Sequence, residues 1–238
     1  PLYSSAASDV YKRQQHSGCT DGVLETSSHA LEQGRLAGCR FKVAALTNLT
    51  QDHLDYHGTM ERYFEAKAIL FRELIAPGGV AVLFADRQDG QRMRSQVAHA
   101  VLTLSTTDGT AADVAVTSRR LDETGTRATL RTPTGDVDIA SSLIGDYNLA
   151  NLTLAVGMAV GLGVANDAIA RGVGDVRVPG RLQPVANDAG VLCVVDYAHS
   201  PDALERAMAT LRAITPGRLL VVFGCGGDRD KTKRPLMG

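Results

Sequence analysis

No apolar run in this 238-residue chain approaches the roughly 20 residues that cross a bilayer, and its start lacks the apolar core of a signal peptide. The cytoplasm is therefore the expected compartment. Neither sign of charge is in excess: 25 basic residues stand against 26 acidic ones, a net charge of −1. Nucleic acid and anionic membranes are not expected partners, and any anion must be held by local groups. Cysteine is scarce and dispersed. Cys19, Cys39, Cys193 and Cys225 form no CxxC pair, and Cys193 falls in an apolar strand pattern. Reduced, buried thiols fit that pattern better than a disulfide framework or a zinc site. Internal repeats and low-complexity segments are lacking as well. What is present, 44% hydrophobic and 21% charged residues, suffices for one or two globular domains with a sizeable core.

The ends are unusual. Pro1 to Gln14 has no initiator Met and no periodicity, and reads as a scar of cloning or sequence assembly. The last residues, Leu236-Met237-Gly238, stop where a βα unit would continue. An internal fragment is expected.

Between the ends, the pattern predicts an α/β fold. Gly22 to Glu25 reads as a strand end, His29 to Leu36 as a short helix and Phe41 to Thr47 as a buried strand. A helix over 59–76 is closed by Pro77-Gly78-Gly79, and Val80 to Phe84 is the next strand. Residues 100–104, 113–120, 126–131 and 136–140 are short β candidates with turns at Asp108-Gly109 and Thr134-Gly135, forming a small inserted sheet. Helices are expected over Leu149 to Val160 and about 165–173. Val178-Pro179-Gly180-Arg181 then reads as a hinge. A second α/β domain begins after it: strand Val191 to Val195, a helix capped by Ser200 with Pro201 in its first turn, and strand Leu219 to Phe223. The expected division is 1–14 scar, 15–178 central domain and 179–238 second domain.

The stretch from Ala44 to Ala76 carries the strongest chemical signal. Met60, Tyr63, Phe64, Phe71 and Leu74 make one helical face. At roughly 100° per residue, Lys67 falls near the centre of that face, where a Leu would be expected. A buried lysine loses affinity for its proton. Its neutral amine can serve as base or nucleophile, or react with carbon dioxide to give a carbamate that binds metal; the alternative is an ammonium that snorkels to the helix edge. Asp52, His53, Asp55 and His57 have no zinc-site spacing, which leaves magnesium or turn chemistry. Glu25-Thr26-Ser27-Ser28-His29 lies past a strand end, where open α/β sheets place ligands, and Ser27 or Ser28 can equally cap the helix. The Gly224 to Thr232 loop is not a Walker A motif, because Asp230 occupies the place of the Gly before Lys-Thr. Its Arg229 could fork onto a carboxylate.

Five passages together resemble the Mur ligases of peptidoglycan synthesis, in the branch that adds the third amino acid. They are ETSSHALEQGR (25–35), TNLTQDHLDYHGTMERYFEAKAILF (47–71), GDYNLANLTLA (145–155), PGRLQPV (179–185) with VVDYAHSPDALE (194–205), and VFGCGGDRDKTKRPLMG (222–238). The resemblance implies a central P-loop-like ATP-binding α/β domain, incomplete at its N-terminus, followed by the start of a Rossmann-like C-terminal ligase domain. It implies ATP and Mg2+ as cofactors. UDP-N-acetylmuramoyl-L-alanyl-D-glutamate and meso-diaminopimelate are the implied substrates, joined through an acyl phosphate by a monomer. Lys67 matches the family's carbamylated lysine and, with His53, its catalytic residues. Glu25, His53 and Lys67 match the metal set. Ser27, Gln33 and Arg35 match contacts to the muramoyl dipeptide, and Arg229 a contact to the incoming amino acid. Asn148, Arg181 and Asp196 match ATP contacts.

The family's Gly-rich Lys-Thr loop, uridine-binding domain and downstream Asp-Asn-Pro-Arg motif are not in the 238 residues. The chain by itself is thus expected to bind nucleotide weakly and to be inactive, with exposed apolar surface in its second domain. The GCGGDRD loop form leans toward diaminopimelate. A lysine-adding homologue, a folylpolyglutamate synthetase relative and a non-catalytic nucleotide-binding remnant are the competing readings.

Overall fold

A computed structural model describes residues 18–50, 53–225 and 234–238. The chain divides into two compact units. The first comprises residues up to Ser105 with 110–113 and 157–163. It is built on three parallel strands, Phe41–Ala45 (β1), Ile75–Phe84 (β2) and Ala100–Ser105 (β3). Val43, Ala44 and Ala45 pair with Val80, Ala81 and Val82, and β2 pairs in unbroken register with β3 from Val80–Ala100 to Phe84–Leu104.

Helices Ser28–Glu32 (α1), Leu54–His57 (α2), Met60–Glu73 (α3) and Gln88–Arg94 (α4) complete this unit. Thr59 caps α3, its hydroxyl accepting from the Arg62 N–H at 3.2 Å. The predicted apolar face of α3 is the buried one: Phe64, Ala68, Leu70, Phe71 and Leu74 pack with Leu31, Leu36, Ala44, Leu46, Ala81, Leu83 and Met93. Leu49 donates its N–H to Asp89 Oδ2 at 2.8 Å, which ties the loop after β1 to α4.

The second unit comprises 106–109, 114–156 and 164–238. Val114–Asp122 (β4), Gly125–Thr132 (β5) and Gly135–Ser141 (β6) form an antiparallel meander with two-residue turns. Asp146–Gly161 (α5), which belongs to this unit through Val156, and Asn166–Gly174 (α6) follow, and α6 packs on β6. Gln183–Val185 (β7) pairs antiparallel with Cys193–Val195 (β8). Then come Pro201–Ile214 (α7), capped by Ser200 with Pro201 in its first turn, and Arg234–Met237 (α8). Ile144, Leu182 and Ala207 centre a small core here, joined by Tyr147, Val194, Leu211 and Ile214.

The α/β class is as expected, with local differences. Gly22–Glu25 and Leu219–Phe223 form no strand: Val23 is 90% and Val222 100% exposed. An apolar run becomes a strand only against a ladder partner, and neither run has one among the described residues. Pro77-Gly78-Gly79 does not follow the helix as a loop but lies inside β2, beside the irregular register between Phe41 and Val43. Cys193 is exposed rather than buried, and the four cysteines are free thiols. Among the described residues no helix is long and apolar enough to cross a membrane.

Two glycines with opposite surroundings test the packing. A Cβ at Gly90 would lie 2.0 Å from the Phe84 carbonyl oxygen, whereas one at Gly172 meets nothing within 4 Å. Gly90→Ala is expected to lower stability by about 1–3 kcal/mol, and Gly172→Ala to raise it by about 0.5–1 kcal/mol. Urea midpoints of the two variants check both signs.

Candidate functional site

Each unit contains some of the expected site residues. In the first, the chain leaves β1 and forms α2 beside α1. His53 opens α2 in the left-handed region, with φ 56°, a conformation in which His is less penalised than branched residues. His29 lies 5.0 Å from His53, 4.0 Å from Tyr56 and 5.3 Å from His57, centroid to centroid. His57 stacks on Tyr63 at 5.3 Å and 30°. The Tyr63 ring also meets the edge of His53 at 5.9 Å and carries Lys67 Nζ 5.0 Å from its centroid. One tyrosine is thereby the shared neighbour of His53 and Lys67.

His57 is the most buried member of this cluster. It is 2% exposed, and its Nε2 lies 2.8 Å from the Oγ of Ser28, itself 1% exposed. Glu32 Oε2 is 3.3 Å from His57 Nδ1 but outside hydrogen-bonding geometry. Burial, the largest influence, holds the imidazole below its ordinary value of 6.5; Glu32 opposes this, and His29 and His53 add to it. A neutral imidazole is the consequence.

The predicted residues of this unit are placed as follows. Ser27 caps α1, accepting from the Ala30 N–H at 3.2 Å. Gln33 donates to the Tyr56 hydroxyl at 3.2 Å. Arg35 is exposed, and Glu25 is exposed in the irregular segment before α1. Lys67 is half-buried on α3, between the snorkelled and the fully buried alternatives. Among the described residues no group of three or more His, Cys, Asp or Glu side chains converges as a metal centre. Magnesium with one or two protein ligands and phosphate oxygens requires no such group. His53 and Lys67, on the same ring, fit that kind of site; Glu25 is not brought to them by any contact.

In the second unit, Asn148 lies in the first turn of α5, 4% exposed, and donates to the Ile144 carbonyl at 2.9 Å. Arg181 Cζ is 5.2 Å from the Tyr197 ring centroid. Asp196 accepts from the Leu182 N–H at 2.8 Å and from the Ala198 N–H at 2.9 Å. The Tyr147 phenol relates the three residues: burial, then the Asp196 carboxylate, raise it above its ordinary 10.0, while Arg181 and a hydrogen bond with Asn148 oppose the rise. Asn148, Arg181 and Asp196 thus share one neighbourhood. Arg229 lies outside the described residues, as does Asp52. Tyr63 and Tyr147 carry no site expectation, His57 is expected only as one of four residues for magnesium or turn chemistry and Ser28 only as a cap, although each sits beside an expected site residue.

The family profile of the Mur ligase middle domain matches residues 7–159, and that of the Mur ligase glutamate ligase domain matches 180–238. The chain is 48% identical, over 227 residues, to the UDP-N-acetylmuramoyl-L-alanyl-D-glutamate–2,6-diaminopimelate ligase of Geobacter metallireducens, covering 93% of this chain and 44% of that protein. It is also 48% identical to the enzyme of that name from Synechococcus elongatus, with the same coverage. A solved structure of such a ligase aligns with TM-score 0.74 at 40% identity, over 93% of this chain and 46% of the other. MurF from Acinetobacter baumannii aligns with TM-score 0.65 at 26% identity, over 73% and 38%. Folylpolyglutamate synthetase from Lactobacillus casei, at 22% identity and TM-score 0.57, shares the fold alone. The chain spans under half the length of these relatives.

Two expected outcomes test the buried pair. Ser28→Ala leaves a buried imidazole nitrogen without its partner and should cost about 1–3 kcal/mol in urea unfolding. Because His57 binds its proton less readily folded than unfolded, its contribution is full above pH 6.5 and is lost as pH falls below that value. Stability measured from pH 8 to 5 should therefore drop on the acid side, and His57→Gln should flatten the drop.

Proposed function

The chain belongs to the Mur ligase family, and on that premise we propose that the protein containing it joins meso-diaminopimelate to UDP-N-acetylmuramoyl-L-alanyl-D-glutamate at the expense of ATP. The observation that carries this reading is the identity to diaminopimelate ligases along nearly the whole chain, 48% over 93% of it. The GCGGDRD loop agrees with it. ATP and a UDP-linked precursor place the reaction in the cytoplasm, and we expect a monomer.

The reaction balances in two steps. A carboxylate oxygen of the glutamate attacks the γ-phosphorus of ATP, ADP leaves, and an acyl phosphate forms. The amine of diaminopimelate then attacks the acyl carbon, phosphate leaves, and the nitrogen gives up a proton as the amide forms. Several anionic groups must be held together, so the principal demand is positioning and charge compensation. Bound magnesium would neutralise phosphate charge, with Lys67 as its carbamate, His53 and Glu25 as the residues to hold it.

The chain's own residues have these roles in our reading. Carbamylation changes Lys67 from a cation resting on Tyr63 into an anion facing the same ring as His53. His53 orients a reacting group from its left-handed position at the start of α2. Ser27, Gln33 and Arg35 receive the muramoyl dipeptide beside α1, and Arg229 receives the carboxylate of the incoming amino acid. Asn148 and Arg181 hold ATP in the second unit, with Asp196.

Lys67 is the decisive test. In the full-length protein, Lys67→Arg should lower ligation by about 10²-fold or more while leaving the fold intact by circular dichroism. Incubation with 13C-labelled bicarbonate should give a carbamate NMR signal in the parent protein and none in Lys67→Arg. An active, signal-free parent protein would remove the carbamate from the mechanism.

A further inference from the structure

Gln33 and Arg35, two of the residues matched to the muramoyl dipeptide, lie where α1 ends, and their backbone there is tightly specified. The Gly34 N–H goes to the Leu31 carbonyl at 3.0 Å, the Arg35 N–H to the Ala30 carbonyl at 2.9 Å, and Gly34 is left-handed at φ 64°. Those two bonds across a left-handed glycine make a Schellman motif, with Gln33 as the C-cap. Backbone bonds do not fix a glutamine side chain, however. Gln33 is exposed, and an exposed glutamine has many rotamers to lose when a ligand orders it.

Tyr56 removes much of that freedom. Its hydroxyl accepts from Gln33 Nε2 at 3.2 Å and so joins the end of α1 to α2, between residues 23 positions apart. The phenol ring is itself held, 4.0 Å from the His29 ring and 4.8 Å from that of His57, which it meets edge to face at 85°. His57 is in turn the buried imidazole bonded to Ser28. The hydroxyl therefore has a fixed place even though Tyr56 is 43% exposed. With one amide N–H directed at the phenol, Gln33 keeps its carbonyl oxygen and its second N–H for a ligand. One acceptor beside one donor is the complement of a peptide group.

We propose that Tyr56 is a positioning residue that acts through Gln33: its hydroxyl anchors the Gln33 amide so that the remaining acceptor and donor meet the peptide group of the muramoyl dipeptide. This rests on the reading of Gln33 as a dipeptide contact. Because the side chain is ordered before the ligand arrives, little rotamer freedom is lost on binding, and affinity for the dipeptide gains accordingly. ATP, which does not use Gln33 in that reading, gains nothing.

A double-mutant cycle on the affinity of the full-length protein for UDP-N-acetylmuramoyl-L-alanyl-D-glutamate, measured by calorimetry, tests it. Gln33→Ala should weaken binding by roughly tenfold, Tyr56→Phe by roughly three- to tenfold, and the double variant no more than Gln33→Ala alone. Tyr56→Phe keeps both ring contacts, so KM for the muramoyl substrate should rise while kcat and KM for ATP stay at the parent values, a split that general loss of structure does not produce. In the ligand-free protein, the order parameter of the Gln33 side-chain amide, read by 15N relaxation, should fall in Tyr56→Phe. Unchanged affinity or an unchanged order parameter in Tyr56→Phe would overturn the proposal, and so would additive losses, which would make Tyr56 a direct ligand contact. A Gln33→Ala protein that binds the muramoyl substrate normally would overturn the underlying reading as well.

Discussion

The Ser28–His57 hydrogen bond is the constraint on which the first unit's candidate site depends. It joins residues 29 positions apart, one in the first turn of α1 and the other at the end of α2, and both are nearly inaccessible to water. It acts together with the Gln33–Tyr56 hydrogen bond and the His29 ring contacts, which join the same two segments nearer the surface. With it, the imidazole has a fixed plane on which Tyr63 stacks, and Tyr63 in turn fixes where His53 and Lys67 stand. The order of dependence runs from a buried polar pair to an aromatic stack to the reactive groups. Buried polar pairs of this kind stabilise little in net terms but are costly to break, which favours a single arrangement over several.

The second unit solves the corresponding problem with backbone rather than rings. Its candidate residues come from three places along the chain, at 148, 181 and 196, and the small core around Leu182 is what holds those places together. Tyr147 contributes from α5, Leu182 from the segment after the Pro-Gly turn, and Val194 from β8. A half-buried phenol, a guanidinium and a carboxylate then share a neighbourhood in which the two charged groups act on the phenol with opposite sign.

Much of this was legible in the sequence, and the exceptions have physical causes. Helix α3 and the position of Lys67 on it follow from apolar periodicity alone, because packing and period agree there. Helix α4 left no such trace: its sequence, QDGQRMR, is polar and contains Gly90, and it is held by a tertiary hydrogen bond from Leu49 and by close approach to Phe84. The opposite error occurred at Leu219 to Phe223, which has the composition of a buried strand but no ladder partner among the described residues. Of the site, residues of unusual type for their position were found, such as Lys67 on an apolar face. Those whose importance lies in a distant partner were not. His57 stood out only as one of four Asp and His residues suited to magnesium or a turn, since nothing local reveals that Ser28 will meet it.

Position 182 shows how such a fold restricts sequence drift. The core around Ile144 and Ala207 demands an aliphatic side chain there, while the backbone of Leu182, left-handed at φ 40°, penalises branching at Cβ. Valine and isoleucine satisfy the first demand and fail the second; asparagine and glycine do the reverse. Leucine, with its branch one carbon further out, and methionine are nearly alone in meeting both. An outwardly ordinary core residue is thus confined by two independent demands, one from its neighbours and one from its own backbone.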